Sequence, residues 1–79
     1  MLFSKHLRSH GHTRAFLVGE ADDRGWEIRE ERDDFIVRRT WLHDWHRVER
    51  AMMNFMVEAV QLRSDGWTDV TPLPTTNIH

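Results

Sequence analysis

The stretch from Asp44 to Ser64 constrains the fold most strongly, because it contains neither glycine nor proline. Within it, apolar residues recur at the three- and four-residue spacing of one helix face: Trp45, Val48, Met52, Phe55, Ala59 and Leu62. Asp44 suits an N-cap, since its carboxylate can accept bonds from first-turn N–H groups. Gly66 followed by Trp67 suits a helix stop in which Trp67 packs back on Leu62. The pattern predicts one long amphipathic helix whose apolar side needs a cover.

Three short runs rich in β-branched and aromatic residues precede the helix, at 14–20, 26–31 and 35–41. Loops of turn formers separate them, so we expect an antiparallel meander. The expected register sets Val18, Ile28 and Val37 side by side. Because side chains alternate along a strand, one face would then carry Phe16, Trp26, Phe35 and Trp41 as well. The other face would carry charged and polar side chains: Glu27, Arg29, Glu31, Arg38 and Thr40.

The predicted fold class is α+β, with a three-stranded antiparallel β-meander packed against one long C-terminal helix. A chain of 79 residues forms one domain, which we expect over 14–70. A short fourth strand over 68–71 is compatible with the sequence. Residues 1–13 are expected to be a flexible, basic and His-rich arm, with a helical turn around 2–8. Two prolines in the last segment predict a disordered tail over 71–79.

Composition narrows the classes of function. The chain has no cysteine, so neither disulfides nor thiolate ligands can hold the fold together. Its net charge of −2 argues against a nucleic-acid binder, which usually carries a basic surplus. No apolar run is long enough for a signal peptide or a membrane span, and we expect a cytoplasmic protein that does not bind membranes.

Two histidines near the start of the helix, His43 and His46, are weak candidates for metal ligands because their spacing allows them to share a cation. Structural zinc sites usually need four protein ligands and catalytic ones three, so we expect no metal and no cofactor. No serine or cysteine nucleophile stands beside a histidine, and a sheet covered by one helix offers little concavity. We therefore expect no catalytic residues and no enzymatic activity.

The apolar zone of the helix is wider than a three-stranded sheet can cover, since Met53, Val57 and Val60 extend it on one side. Either the N-terminal arm folds over it through Leu2, Phe3 and Leu7, or a second subunit does. We expect a protein–protein interaction or assembly module that forms a homodimer through Met53, Met56, Val57 and Val60. The alternative is a nucleic-acid-binding accessory protein that uses Lys5, Arg8, Arg14, Arg29 and Arg38.

Overall fold

A computed structural model describes residues 1–72 and shows a five-stranded antiparallel sheet packed against one long helix. The strands are β1 (Phe3–Ser9), β2 (His12–Glu20), β3 (Trp26–Arg32), β4 (Phe35–Leu42) and β5 (Thr68–Asp69), and the helix is α1 (Trp45–Ser64). A 3-10 turn at Asp22–Arg24 joins β2 to β3. The order across the sheet is β4-β3-β2-β1-β5. The α+β class and the single helix are confirmed, whereas the predicted number of strands is wrong.

The expected flexible arm is the largest difference from the prediction. Most of residues 1–13 belong to β1 and to the hairpin that joins it to β2, and Leu7 is fully buried. His10 and Gly11 both have positive φ, at 49° and 80°, which is typical of a two-residue hairpin turn. The sequence concealed this strand because Lys5 interrupts the apolar alternation of Phe3 and Leu7.

The register between β2 and β3 agrees with the predicted one, since Val18 lies opposite Ile28. The register between β3 and β4 does not, because Ile28 lies opposite Thr40 and not opposite Val37. The connecting turn has two residues instead of the expected four. In addition, β4 has a β-bulge opposite Glu30 and Glu31, in which Val37 is an extra residue without a partner on β3. Trp41 therefore lies opposite Glu27 on the face that was predicted to be charged.

The core lies between α1 and one face of the sheet, which we call the helix face. Its buried side chains come from three strands and the helix: Leu7, Phe16, Val18, Ile28, Val48, Phe55, Ala59 and Leu62. The Phe55 ring lies 5.0 Å from that of Phe16 and 6.3 Å from that of Phe3, centroid to centroid. A strand from the N-terminal segment thus extends the cover over the helix, through Phe3 and Leu7.

Both ends of α1 are as the sequence predicted. The Asp44 carboxylate accepts a hydrogen bond of 2.9 Å from the His46 N–H, and Gly66 has a φ of 99°. The Trp67 N–H donates to the Leu62 carbonyl oxygen at 3.0 Å, and the Trp67 side chain packs against the core. Within the part of the chain that the structure describes, no helix is both long and apolar enough to cross a membrane.

The segment after α1 pairs with the N-terminal strand. Two residues of β5 lie opposite Leu7 and Arg8, and the Val70 N–H donates to the His6 carbonyl oxygen at 2.8 Å. The predicted disordered tail over 71–79 begins with an ordered residue, because the Thr71 hydroxyl accepts a bond of 2.9 Å from the His6 N–H. Residues 73–79 lie outside the described residues.

Candidate interaction surfaces

An exposed apolar stripe runs along α1, formed by Met53, Met56, Val57 and Val60. Their exposed fractions are 62%, 49%, 66% and 66%. At about 100° per residue the four side chains occupy an arc of roughly 100° on the helix. This arc begins beside the buried side of α1, which contains Val48 and Phe55. The stripe therefore continues the apolar side of α1 beyond the core, and no described residue covers it.

The flank of α1 opposite the stripe is closed by ion pairs around a buried carboxylate, Glu30. The Glu30 side chain on β3 is only 7% exposed and lies 2.7 Å from an Arg14 nitrogen. Two further guanidinium groups approach it, from Arg38 at 3.1 Å and Arg32 at 3.5 Å. From the helix, Glu58 reaches Arg14 at 3.0 Å. The two flanks of the helix thus differ, one being ionic and closed and the other apolar and open.

Aromatic rings also contact these guanidinium groups. The Arg14 guanidinium carbon lies 5.3 Å from the centre of the Phe16 ring, and that of Arg38 lies 5.8 Å from the Phe55 ring. Both distances are within the range of cation–π attraction. The ion cluster is therefore joined to the hydrophobic core as well as to its carboxylates.

The second exposed apolar surface is β4, which forms one edge of the sheet. Phe35 is 75% exposed, and Ile36 and Val37 are about half exposed. Among the described residues, β4 makes no backbone hydrogen bond to any element other than β3. Its outward N–H and C=O groups are available for pairing with another strand.

The opposite edge of the sheet is protected by β5 and the residue pair Asp69 and Thr71. The Asp69 carboxylate accepts bonds from the Thr71 hydroxyl at 2.6 Å and the Thr71 N–H at 2.9 Å, and it lies 3.1 Å from the Lys5 ammonium. The hydrogen bonds from Thr71, with a smaller contribution from Lys5, lower the pKa of Asp69 to about 2. This network holds the end of the described chain against β1.

The five residues of the alternative nucleic-acid surface do not lie together. The register places Lys5, Arg14 and Arg38 on the helix face, whereas Arg8 and Arg29 lie on the opposite face, which we call the open face. Four of the five are paired with carboxylates: Lys5 with Asp69, Arg14 with Glu30 and Glu58, Arg29 with Glu27 and Glu31, and Arg38 with Glu30. A continuous cationic track for phosphates needs free positive charges in a row, which this placement does not provide.

The two candidate metal ligands are separated by the start of the helix. His43 lies against the loop before β3, where a Cβ on Gly25 would stand 3.0 Å from its Nδ1. His46 is on the first turn of α1, with its Nδ1 3.8 Å from Glu49. Within residues 1–72 no group of three or more histidine and carboxylate side chains is placed to hold a metal ion.

Comparison with known proteins adds no relative: no family model matches the chain, and neither the curated proteins nor the solved structures give a significant match. The function must therefore be inferred from the surfaces of the molecule.

Sequence reasoning identified the helical stripe but missed the exposed edge of β4. The signal for the stripe is in the sequence, because its period is that of a helix with an unusually wide apolar arc. The predicted meander already ends with this strand at an edge, but the exposure of its side chains depends on a shift in register and on β5 pairing with the opposite edge, neither of which the run of residues reveals. Glu30 was also missed, although alternation with Trp26 and Ile28 would have placed it on the helix face.

Proposed function

We propose that this chain is a small, non-enzymatic assembly module that forms a homodimer through the helical stripe. The observation that carries the proposal is the exposure of Met53, Met56, Val57 and Val60, each at least about half exposed and all on one arc of the helix. Apolar patches of this kind typically mark interaction sites in soluble proteins. Two of the four residues are methionines, whose flexible side chains adapt to irregular surfaces and can pack against another helix.

The arrangement of charges favours a second copy of the chain as the occupant. In an antiparallel pair of helices related by a two-fold axis between Met56 and Val57, Met53 lies opposite Val60 of the second copy. The same axis brings Glu49 close to Arg63 of the second copy, at both ends of the interface. Arg63 makes no ion pair with any described residue, and the Glu49 side chain is 53% exposed. A two-fold interface is self-complementary in this way.

Measurement of solution mass tests the proposal. We expect the wild-type protein to have twice the 9.5 kDa mass of the chain by sedimentation equilibrium. The double variant Met53→Glu, Val60→Glu should be a folded monomer, because it would bury four carboxylates at the dimer interface. Circular dichroism checks that the helix and sheet remain.

The matched control is Asn54→Glu, Gln61→Glu. It adds the same two charges at the same seven-residue spacing, on exposed positions of the polar side of α1. This variant should remain dimeric. A wild-type protein that is monomeric throughout the concentration range, or a control that dissociates as readily as the stripe variant, would refute the helical interface.

Charge exchange tests the orientation of the two helices. Glu49→Arg and Arg63→Glu should each weaken the dimer, because each places like charges together at both ends of the interface. The two changes combined should restore the wild-type dissociation constant to within about threefold, since exposed pairs contribute about 0.2–1 kcal/mol each. Two single variants and a double variant that all dissociate equally would argue for a different helix orientation.

The cytoplasm is the proposed location, in keeping with a fold that uses no disulfide. The nucleic-acid alternative receives less support, because the cations that it requires are divided between two faces of the sheet. Retention on DNA or RNA columns at low salt, lost as salt rises, would favour that alternative.

A further inference from the structure

We infer that β4 is a docking edge for an extended, acidic segment of a partner protein, which would add to the sheet as a sixth strand. This site is distinct from the helical stripe, and it does not depend on the proposed homodimer. The edge has eight residues, Phe35–Leu42, and extends about 26 Å at the usual rise of a strand. That length is sufficient for a partner strand of ordinary size.

The backbone of β4 provides the general part of the binding. β4 is the last strand on its side of the sheet, and seven of its eight residues are exposed. Added strands bind through main-chain hydrogen bonds, while their alternate side chains provide specificity. The opposite edge of the sheet is already occupied by β5, so these two edges are not equivalent.

The charges beside β4 determine the chemistry of the partner. The strand contains two arginines, Arg38 and Arg39, and no acidic residue. Their side chains are 59% and 46% exposed, whereas the carboxylates that pair with them, Glu30 and Glu27 on β3, are only 7% and 19% exposed. The cations therefore lie on the accessible side of these ion pairs and the carboxylates lie behind them.

Each guanidinium retains donors for a further carboxylate, because arginine carries five N–H groups and one carboxylate cannot use them all. Arg38 lies on the helix face and Arg39 on the open face, opposite Glu30 and Arg29 respectively. Neighbouring residues of an added strand also point to opposite faces. A segment with two adjacent acidic residues would thus place one carboxylate beside each arginine.

The apolar side chains of the edge define the flanking positions of the partner. Phe35, Ile36 and Val37 are exposed at one end of β4, and Trp41 at the other. The guanidinium groups of Arg24 and Arg39 pack against the Trp41 ring, at 5.5 and 5.2 Å from its centre. Cross-strand pairs of aromatic and β-branched residues stabilise sheets, so we expect β-branched or aromatic residues on both sides of the acidic pair.

A second copy of the chain fits this edge poorly. Antiparallel pairing of β4 with itself near its centre, with the two-fold axis at Arg38 or at Arg39, sets that arginine directly opposite the same residue of the copy. Like charges directly opposite each other destabilise a sheet. A partner strand with acidic residues removes this repulsion, and for this reason we assign the edge to a different protein.

Selection from a library of random octapeptides displayed on phage tests the inference. We expect the immobilised protein to enrich sequences that carry two adjacent Asp or Glu residues, flanked by β-branched or aromatic residues and free of proline. The variant Arg38→Gln, Arg39→Gln should lose this enrichment. It should also bind the selected peptide at least about tenfold more weakly by fluorescence anisotropy, since hydrogen bonds between charged groups are the stronger class.

Two controls separate the edge from nonspecific attraction. Arg47→Gln, Arg50→Gln removes the same charge from exposed positions on α1 and should bind the peptide as the wild type does. The selected peptide can be methylated on the backbone nitrogens of its odd-numbered residues or of its even-numbered residues. Only one of these two peptides should lose binding, because only one set of N–H groups faces β4. Met53→Glu, Val60→Glu should bind normally, which distinguishes this site from the stripe.

The inference is overturned if the library yields no acidic pattern, or if the selected peptides bind the Arg38→Gln, Arg39→Gln variant as tightly as the wild type. It is also overturned if neither pattern of methylation weakens binding, since the peptide would then not be pairing as a strand.

Discussion

Glu30 shows most clearly how single residues act in this fold. Its position on β3 follows from alternation with Trp26 and Ile28, and could have been read from the sequence. Its partners could not, because Arg14 and Arg38 come from neighbouring strands and Glu58, which shares Arg14, comes from the helix. The result is a buried carboxylate that, through Arg14, joins the sheet to Glu58 of α1 beside the aromatic rings of the core.

Removal of the Glu30 charge should be costly. Glu30→Gln leaves Arg14 in a largely buried position with a weaker partner, and we expect a loss of about 3 kcal/mol in the free energy of unfolding. Glu58→Gln removes a bond to the same arginine from a carboxylate that is 39% exposed, and should cost less than about 1 kcal/mol. Urea denaturation of both variants measures the difference. Equal losses would show that burial does not determine the strength of the cluster.

At the scale of elements, the β3–β4 hairpin accounts for the error in the predicted register. Asp33 and Asp34 both have positive φ, at 50° and 69°, so they form the two-residue turn that matches the twist of a hairpin. The sequence indicated a turn here but not its length, because aspartate suits turns of several kinds. The shorter turn shifts the register by two residues and leaves each side chain on its predicted face. The extra residue Val37 then reverses the faces of the residues after it, which moved Trp41 to the open face.

The two turn residues should respond in opposite ways to glycine. Asp34→Gly should stabilise the protein by about 0.5 kcal/mol, since glycine adopts positive φ without strain but loses more entropy on folding. Asp33→Gly should be destabilising, because the Asp33 carboxylate accepts a bond of 3.0 Å from the Thr13 N–H. Thermal denaturation monitored by circular dichroism provides the comparison. A gain in stability from Asp33→Gly would contradict the role of that hydrogen bond.

The contact of β5 with β1 makes the free energy of unfolding depend on pH in the acidic range. Because the pKa of Asp69 is about 2 in the folded protein and lies below its ordinary value of 3.8, the unfolded chain binds this proton more readily. The contribution of Asp69 to stability is therefore complete above about pH 4 and is lost as the pH falls towards 2. Thr71→Val should raise the pKa of Asp69 and weaken this dependence.

Carbon-13 NMR titration of the Asp69 carboxyl group measures that change directly. Thr68→Val, on the same short strand, is the matched control, because no side-chain hydrogen bond joins Thr68 to another described residue. Its titration should follow that of the wild type. If Thr71→Val leaves the titration of Asp69 unchanged, the hydrogen bond from the Thr71 hydroxyl does not lower its pKa.

For the molecule as a whole, the sequence was sufficient to predict an antiparallel sheet under one helix, and the helical stripe as a candidate surface. It was insufficient for the order of the strands. The periodic signal of α1 is local, whereas the positions of β1 and β5 depend on pairing between residues far apart in the chain. The edge of β4 stays free because β5 pairs with β1 at the other side of the sheet, and only the assembled sheet reveals this.

The pairing of β1 with β5 also affects how the protein is made. Lys5 and Asp69 are separated by 64 positions, and the His6 N–H meets Thr71 across 65. During translation β1 and β2 can form their hairpin early, but the outer side of β1 has no partner until β5 has left the ribosome, after every other element described. Until then both edge strands of the nascent sheet, β1 and β4, are unpaired on their outer sides. At this stage association with a neighbouring nascent chain competes most strongly with correct folding.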